Sequence, residues 1–407
     1  MKRIRMPSRA LLVLLLTMTL LPWQAQAFEF DTGDSDLQIR WDNTFKYSAA
    51  YRIKDQSDTL IDDVNYDDGD RNFDPGLVSN RLDWLSELEF NLPNGGIRVS
   101  GAAWYDMIYS GDNDNDSPFT NNSTSVSNDE FTDDTEKLHG QDAELLDAFG
   151  YLLFDLGNVG VTLRAGRFTQ IYGETLFFGS NGIAEAQGPT DLVKLLTVPS
   201  SQFKEILRPV EQISCDMQIT SKLSFGAYYQ LAWHETQLPA VGSYLSNADF
   251  IGEGSESWIL GPGYAMAHRD DLEPDDQGQG GLQVRYTLDS VGIDLGLYAA
   301  RYHAKAPTAA YIDPVPSFVP GGTQSYRWVY AQDIETYGVS ATGSLGQLNW
   351  ATEFSYRTNA PLNTDPQFNP GLTGGNDEDD RLYAVGDTFH GNLSGIYVLQ
   401  TNPFWDG

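Results

Sequence analysis

The stretch GDNDNDSPFTNN places Asp112, Asp114 and Asp116 at alternate positions, as the first ligands of a calcium loop stand. The glycine such a loop needs at its sixth place and the glutamate at its twelfth are replaced by Ser117 and Ser123. The expectation is a solvated acidic loop, with weak calcium binding as the alternative. His234-Glu235 opens like a zinc-protease motif, but Leu238 stands where the second histidine belongs. The five histidines are scattered. No catalytic residue, metal ligand or cofactor site is expected, although a triad could be assembled from distant residues. Arg164 and Arg167 in LRAGRF form the strongest polar pair. They could contact an acid group of a solute, or pair internally with carboxylates such as Glu87 or Glu89.

The elements that carry these residues read as strands. In residues 39–53, Ile39, Trp41, Phe45, Tyr47, Tyr51 and Ile53 alternate with Arg40, Asp42, Thr44, Lys46, Ser48 and Arg52. That period of two gives one apolar and one polar face. It recurs at 81–91, 97–106, 147–156, 161–167, 213–219, 223–233, 282–288, 293–302, 334–343, 348–357 and 389–399, about twelve strands in all. The connections alternate in length. LPNGG, GNVG, TSK, DSVG and SLG are tight turns, whereas 54–80, 109–142, 171–208, 234–280, 303–333 and 359–387 are long and mostly acidic. Strict short-long alternation is what an up-and-down meander gives when its two rims face different spaces.

A soluble sandwich would bury the apolar face in an aliphatic core. Here that face is rich in aromatics near strand ends, at Trp41, Tyr51, Trp84, Trp233, Trp350 and Tyr356, which are girdle positions. The expected fold is therefore all-β, an up-and-down antiparallel transmembrane β-barrel with lipid outside and water inside. A secreted soluble β protein is the alternative. Tyr47 and Phe225 would face lipid, and Lys46 and Gln230 the lumen. The pore lining would be Arg40, Lys46, Arg81, Glu87, Arg98, Arg164, Arg167, Arg285, Glu353 and Arg357. Their mixed signs argue against a strong ion selector.

Residues 1–27 read as a cleaved signal peptide: Lys2, Arg3, Arg5 and Arg9, an apolar run over 10–21, then Ala25-Gln26-Ala27. Residues 28–407 would be a single β-barrel domain. With 25 Lys+Arg against 57 Asp+Glu, the chain carries −32, which excludes nucleic acid as a partner. The lone Cys215 allows no intramolecular disulfide.

Segment 171–208 stands apart because it has few acidic residues. Residues 191–196 and 202–207 look like two short amphipathic helices bounded by Pro189 and Pro199. The segment is expected to be either a surface cap or a lumen-inserted constriction, with Phe177, Phe178, Leu192, Leu195, Leu196 and Phe203 supplying its apolar lining.

DDGDRNFDPGLVSNRLDWLSELEF, LRAGRFTQIYGE, GPTDLVKLLTVPSSQFKEILRPVEQISCDMQITSKLSFGAYYQLAW, GQGGLQVRYTLDSVGIDLGLYAARYHAKAP and GDTFHGNLSGIYVLQ resemble the bacterial domain of unknown function family 1302. The resemblance covers essentially the whole mature chain. It implies a barrel in the outer membrane of a Gram-negative bacterium. It also implies work on hydrophobic compounds beside a periplasmic or lipoprotein partner and an inner-membrane exporter. Members of the family usually continue well past the point where this chain stops at TNPFWDG, so the twelve strands are expected to be an incomplete part of a larger barrel. The function expected is a non-enzymatic outer-membrane channel that passes small hydrophobic or amphipathic solutes, in contact with outer-membrane lipid. The rivals are a general porin for small polar solutes, a barrel-embedded hydrolase, and a structural or adhesive surface protein.

Overall fold

The computed structural model describes residues 28–30, 33, 36–117, 120, 122–175, 179–199, 206–314 and 324–398. The signal-peptide expectation lies outside them. Eighteen strands are described: β1 Phe28–Phe30, β2 Gln38–Arg52, β3 Gly76–Leu92, β4 Gly95–Asp106, β5 Gln141–Leu156, β6 Val159–Phe168, β7 Val210–Gln218, β8 Leu223–Gln230, β9 Ser257–Gly261, β10 Tyr264–His268, β11 Gly280–Leu288, β12 Ile293–Tyr302, β13 Ala309–Pro314, β14 Gln324–Val329, β15 Ile334–Leu345, β16 Leu348–Pro361, β17 Gln367–Phe368 and β18 Val385–Tyr397.

Thirteen of them form one sheet in the order β1-β2-β3-β4-β5-β6-β7-β8-β11-β12-β15-β16-β18. Every neighbouring pair is antiparallel. The twelve strands expected from the alternation are β2–β8, β11, β12, β15, β16 and β18. Two start well before the pattern shows them, β3 at Gly76 and β5 at Gln141. Register shifts between Ala50 and Tyr51, and between Val99 and Gly101, explain this. A bulge adds a residue to one strand and breaks its period of two.

The closed barrel is not what the described residues form. β1 lies at one edge of the sheet and β18 at the other, and no pair joins them. Closure requires each edge to find a partner for its free N–H and C=O groups. β1 offers three residues, and those are paired to β2.

The sheet curls around a segment instead. Its tight turns lie along one rim and its long connections along the other. On the long rim stands a second sheet that the alternation did not reveal, in the order β17-β13-β14-β10-β9. It mixes parallel pairs (β10 with β14, β13 with β17) with antiparallel ones. Its strands come from three different long connections. Tyr302, Tyr311, Ala331, Ile334 and Tyr383 bury one shared core between the two sheets. Phe250, Met266 and Tyr326 bury another beneath the second.

The outer face of the main sheet is apolar and exposed along the expected parity. Phe45, Tyr47, Leu82, Trp84, Ile97, Leu152, Ile213, Tyr229, Leu282, Val284, Leu297, Val339 and Phe354 all present large side chains there. Phe225 shares this face through its register with Val284. Such a face is far larger than the apolar patches soluble monomers carry. β2, β3 and β5 have 15, 17 and 16 residues, more than the roughly 9–11 a tilted strand needs to cross a bilayer. No helix among the described residues is long and apolar enough to cross a membrane. Trp233 is not a girdle residue. It is buried in the loop layer, where its indole N–H donates to the Ala304 carbonyl at 3.0 Å.

Candidate functional site

The inner face is set by the same alternation. Register places Arg285 (β11), Gly296 (β12), Ser340 (β15), Glu353 (β16) and Asn392 (β18) in one row across the sheet. The small residues in the middle of that row leave space for a chain to lie on it. Residues 169–175 and 179–187 occupy the space. Tyr172 and Ile183 pack on Tyr228 and Tyr298, and Gly338 on β15 has no Cβ to meet Ile183.

The segment is held by charged residues at the ends of the row. Glu353 is 1% exposed. Its carboxylate accepts hydrogen bonds from Glu174 N at 2.6 Å, Ile183 N at 2.7 Å and Thr175 Oγ1 at 3.0 Å. A Cβ at Gly173 would lie 2.5 Å from one of its oxygens, and one at Gly182 2.6 Å from the other. Gly173 also has φ +95°, a conformation open to glycine. Arg357 donates to Ser180 O and Gly182 O, both at 2.9 Å. Arg285 pairs with Glu174 at 2.5 Å. From β18, Asn392 donates to Asn181 O at 2.9 Å, and His390 lies 2.7 Å from Asn181 Oδ1. On β8, Gln230 donates to the Gln187 carbonyl.

The segment then crosses to the opposite part of the sheet. Asp191 caps the helix Leu192–Thr197 by accepting from Lys194 N at 2.8 Å. Lys194 reaches Glu144 on β5 at 2.5 Å and lies over the Trp104 ring. The described part of the segment therefore lies on the inner face, with other residues packed there than the expected lining. Leu195 and Leu196 are exposed and Leu192 partly so, while Val193 is buried against Leu138 and Ala240. In a helix this short one face packs inward, and Val193 and Lys194 occupy it. Phe177, Phe178 and Phe203 lie outside the described residues, as does most of the second expected helix.

Between the segment and β3–β6 lies a cavity of about 430 Å³. Its charged lining centres on Arg98, which pairs with Glu87 at 2.6 Å, with Asp147 at 3.1 Å and with Glu89, and Arg164 stands nearby. Apolar side chains share that lining: Phe149 stands in register with Arg98, Leu85 lies on the same face of β3 as Glu87, and Leu146, Phe168, Ile171 and Leu207 complete it. A second cavity of about 390 Å³ opens toward the loop layer, lined by Asp134, Lys137, Glu144, Arg208, His234 and Glu235 among others. Arg208 faces this cavity, whereas Leu207 and Pro209 face the first, so residues 207–209 stand between the two.

Nine of the ten expected lining residues share the inner face. Arg81 is buried there beside Asp83, at 2.9 Å, and against Trp104. Lys46 stands in register with Asp83, and Arg40 with Glu89. Arg40 pairs with Asp42 at 2.7 Å. Arg167 is the correction. It lies on the parity of Leu163 and Ala165, pairing with Glu211 at 3.0 Å, whose other oxygen holds His234 at 2.6 Å. Positions 164 and 167 are an odd number apart, so one strand cannot turn both inward. Arg164 takes neither Glu87 nor Glu89. Its guanidinium sits 5.9 Å from the Phe168 ring, and Arg98 takes the two glutamates. Sequence analysis missed Asp147, Glu174, Asn181 and Gln187. Asp147 carried a signal, a carboxylate in the strand beside Arg98. The others lie in irregular backbone where no period points.

Two of the alternating aspartates are drawn into other contacts. Asp114 accepts from Asp74 N at 2.9 Å and Asp116 pairs with Arg71 at 3.4 Å. The intervening Asn115 turns inward to Asp68 and Asn72. In the loop layer, burial and the Arg81 charge push the His139 imidazole down to about 3. Its Nε2 accepts from Ala240 N at 3.1 Å.

Residues 8–406 match the family described as protein of unknown function DUF1302. The chain belongs to that family. No curated protein matches this member in sequence. Among solved structures, Pseudomonas aeruginosa OccK9 (OpdG) is similar at 10% identity and a TM-score of 0.37, over 90% of this chain and 65% of its own. A mutant ferric enterobactin receptor PfeA from the same organism matches at 12% identity and 0.34, over 82% of this chain and 42% of its own. Pseudomonas putida OprB matches at 10% and 0.33, over 79% and 69%. The DUF1302 chain thus spans less than two-thirds of the length of the first two.

Proposed function

We propose that this DUF1302 protein is an outer-membrane channel for small amphipathic molecules. Its passage runs from the charged cavity at the loop layer, past residues 207–209, into the cavity beside Arg98. The observation that supports this reading is the inner cavity itself, in which the Arg98–Glu87–Asp147 cluster stands beside Leu85, Leu146, Phe149 and Phe168. A solute with one polar end and one apolar body satisfies both kinds of side chain in this lining, whereas a sugar leaves the apolar ones unused. The exposed apolar outer face supports lipid as the surrounding solvent. The proposal contains no catalytic step and no cofactor. A periplasmic or lipoprotein partner, and through it an inner-membrane exporter, would meet the rim of tight turns.

The second reading, a general porin for polar solutes, draws on the same ion-pair cluster. Proteoliposomes separate the two. Purified protein should admit a medium-chain or aromatic carboxylate several-fold faster than a neutral sugar of equal size. Equal rates would favour the general porin, and no uptake of either would end the channel reading.

A further inference from the structure

Three carboxylates converge in the loop layer. Asp67, Asp68 and Asp249 each place an oxygen within 4.8 Å of the others, and all three are buried. They come from two long connections, and the third neighbouring connection orients them. Asp68 accepts from Thr120 Oγ1 at 2.7 Å and from the side-chain amides of Asn115 and Asn122, each at 3.2 Å. Asp249 Oδ2 accepts from Asp68 N at 3.2 Å. Asp67 Oδ2 pairs with Arg71 at 2.5 Å.

That leaves two oxygens over. Asp67 Oδ1 and Asp249 Oδ1 have no hydrogen-bond partner, although Asp67 is 1% exposed and Asp249 is 0%. Orphaned carboxylate oxygens at that depth are costly unless a charge or a donor meets them. Among the described residues Arg71 is the ion-pair partner of Asp67, and no basic side chain pairs with Asp68 or Asp249. One guanidinium thus faces three carboxyl groups.

We propose that Asp67, Asp68 and Asp249 bind one calcium ion, which cross-links the long connections of the outer rim. The donor set is oxygen only, which selects a hard cation. Two ligands of one calcium, each about 2.3–2.6 Å away, can stand up to about 5 Å apart, which the spacing of these oxygens allows, and calcium takes several carboxylates where magnesium usually keeps its waters. Asn115, Asn122 and Thr120 hold Asp68 in place, as outer-shell partners do for metal ligands. The ion would sit where the connections already touch: a Cβ on Gly69 would fall 2.6 Å from Ser246 Oγ.

The test uses the full chain refolded in detergent, freed of metal by a chelator and titrated with calcium alone. One equivalent should bind with a dissociation constant at or below about 1 mM, the range of extracellular calcium modules. Calcium should also slow proteolysis after Arg71. Asp249→Asn should weaken binding at least tenfold, and Asp112→Asn should leave it unchanged. If Asp249→Asn fails to fold, Asp67→Asn, which keeps an acceptor for Arg71, reads the same loss. Absence of saturable binding by the parent below about 10 mM would overturn the proposal, leaving a pair of protonated acids. So would parent-like binding in both Asp variants, or magnesium binding as tightly as calcium.

Discussion

The Glu353 carboxylate on β16 accepts the backbone N–H of Ile183 at 2.7 Å, from a segment 170 residues away in sequence. This bond, with those to Glu174 N and Thr175 Oγ1, fixes the inserted segment to the inner wall. Glu353→Gln keeps the shape but loses one acceptor oxygen, so one buried donor is left unpaired at a cost of about 1–3 kcal/mol. Chymotrypsin should cleave within 169–209 about tenfold faster in the variant. An unchanged cleavage rate would mean the segment is held elsewhere.

The facing of β2 makes a paired prediction. Tyr47 is 63% exposed on the outer face, and Thr44 lies on the other face between Asp42 and Lys46. Tyr47→Arg should cost roughly 2–4 kcal/mol of stability in bilayers if it lies near the midplane. Thr44→Arg should cost less than about 1 kcal/mol, having carboxylates within reach. Urea unfolding in vesicles measures both. Equal costs would reverse the assignment of faces.

Arg98 balances Glu87, Glu89 and Asp147 in the inner cavity. Arg98→Gln removes the positive charge and leaves the carboxylates facing the passage. The cation-to-anion permeability ratio, read from the reversal potential across a salt gradient, should rise several-fold. Entry of carboxylate solutes should fall with it. A ratio equal to that of the parent would place the ion path away from this cluster.

His139 sets a pH dependence in the loop layer. Its folded value is pushed down to about 3 by burial, so the closed state holds it neutral while an opened state takes up a proton below pH 6.5. Stability is therefore fully present above about pH 6.5 and lost as pH falls toward 3. Protection of the Ala240 amide, corrected for intrinsic exchange, should drop by up to about tenfold per pH unit below 6.5. His139→Gln should flatten that slope. A slope that survives the substitution belongs to another group.

The strand layout was legible because one face of each strand meets an apolar surround and the other does not. The inward set could be read from parity, down to Glu353 and Arg357. Arg167 went astray because it was grouped with Arg164 by nearness in sequence rather than by parity. The clamp itself was not legible. Glu353 looks like any inward carboxylate until Gly173, Thr175 and Ile183, far away in the chain, arrive beside it. The second sheet was hidden for a related reason. Its strands are short, they come from separate connections, and two of its pairings are parallel. Tyr311 and Tyr326 bury against long-range partners that no local period announces.

The account stands most directly on the conductance of single channels in planar bilayers, comparing the parent with a chain in which residues 179–199 are replaced by a short Gly-Ser linker. The segment lies on the inner wall, so its removal should enlarge conductance at least two-fold and narrow the preference for amphipathic over polar solutes. A shortened chain that conducts and selects like the parent would contradict a passage running beside the clamped segment.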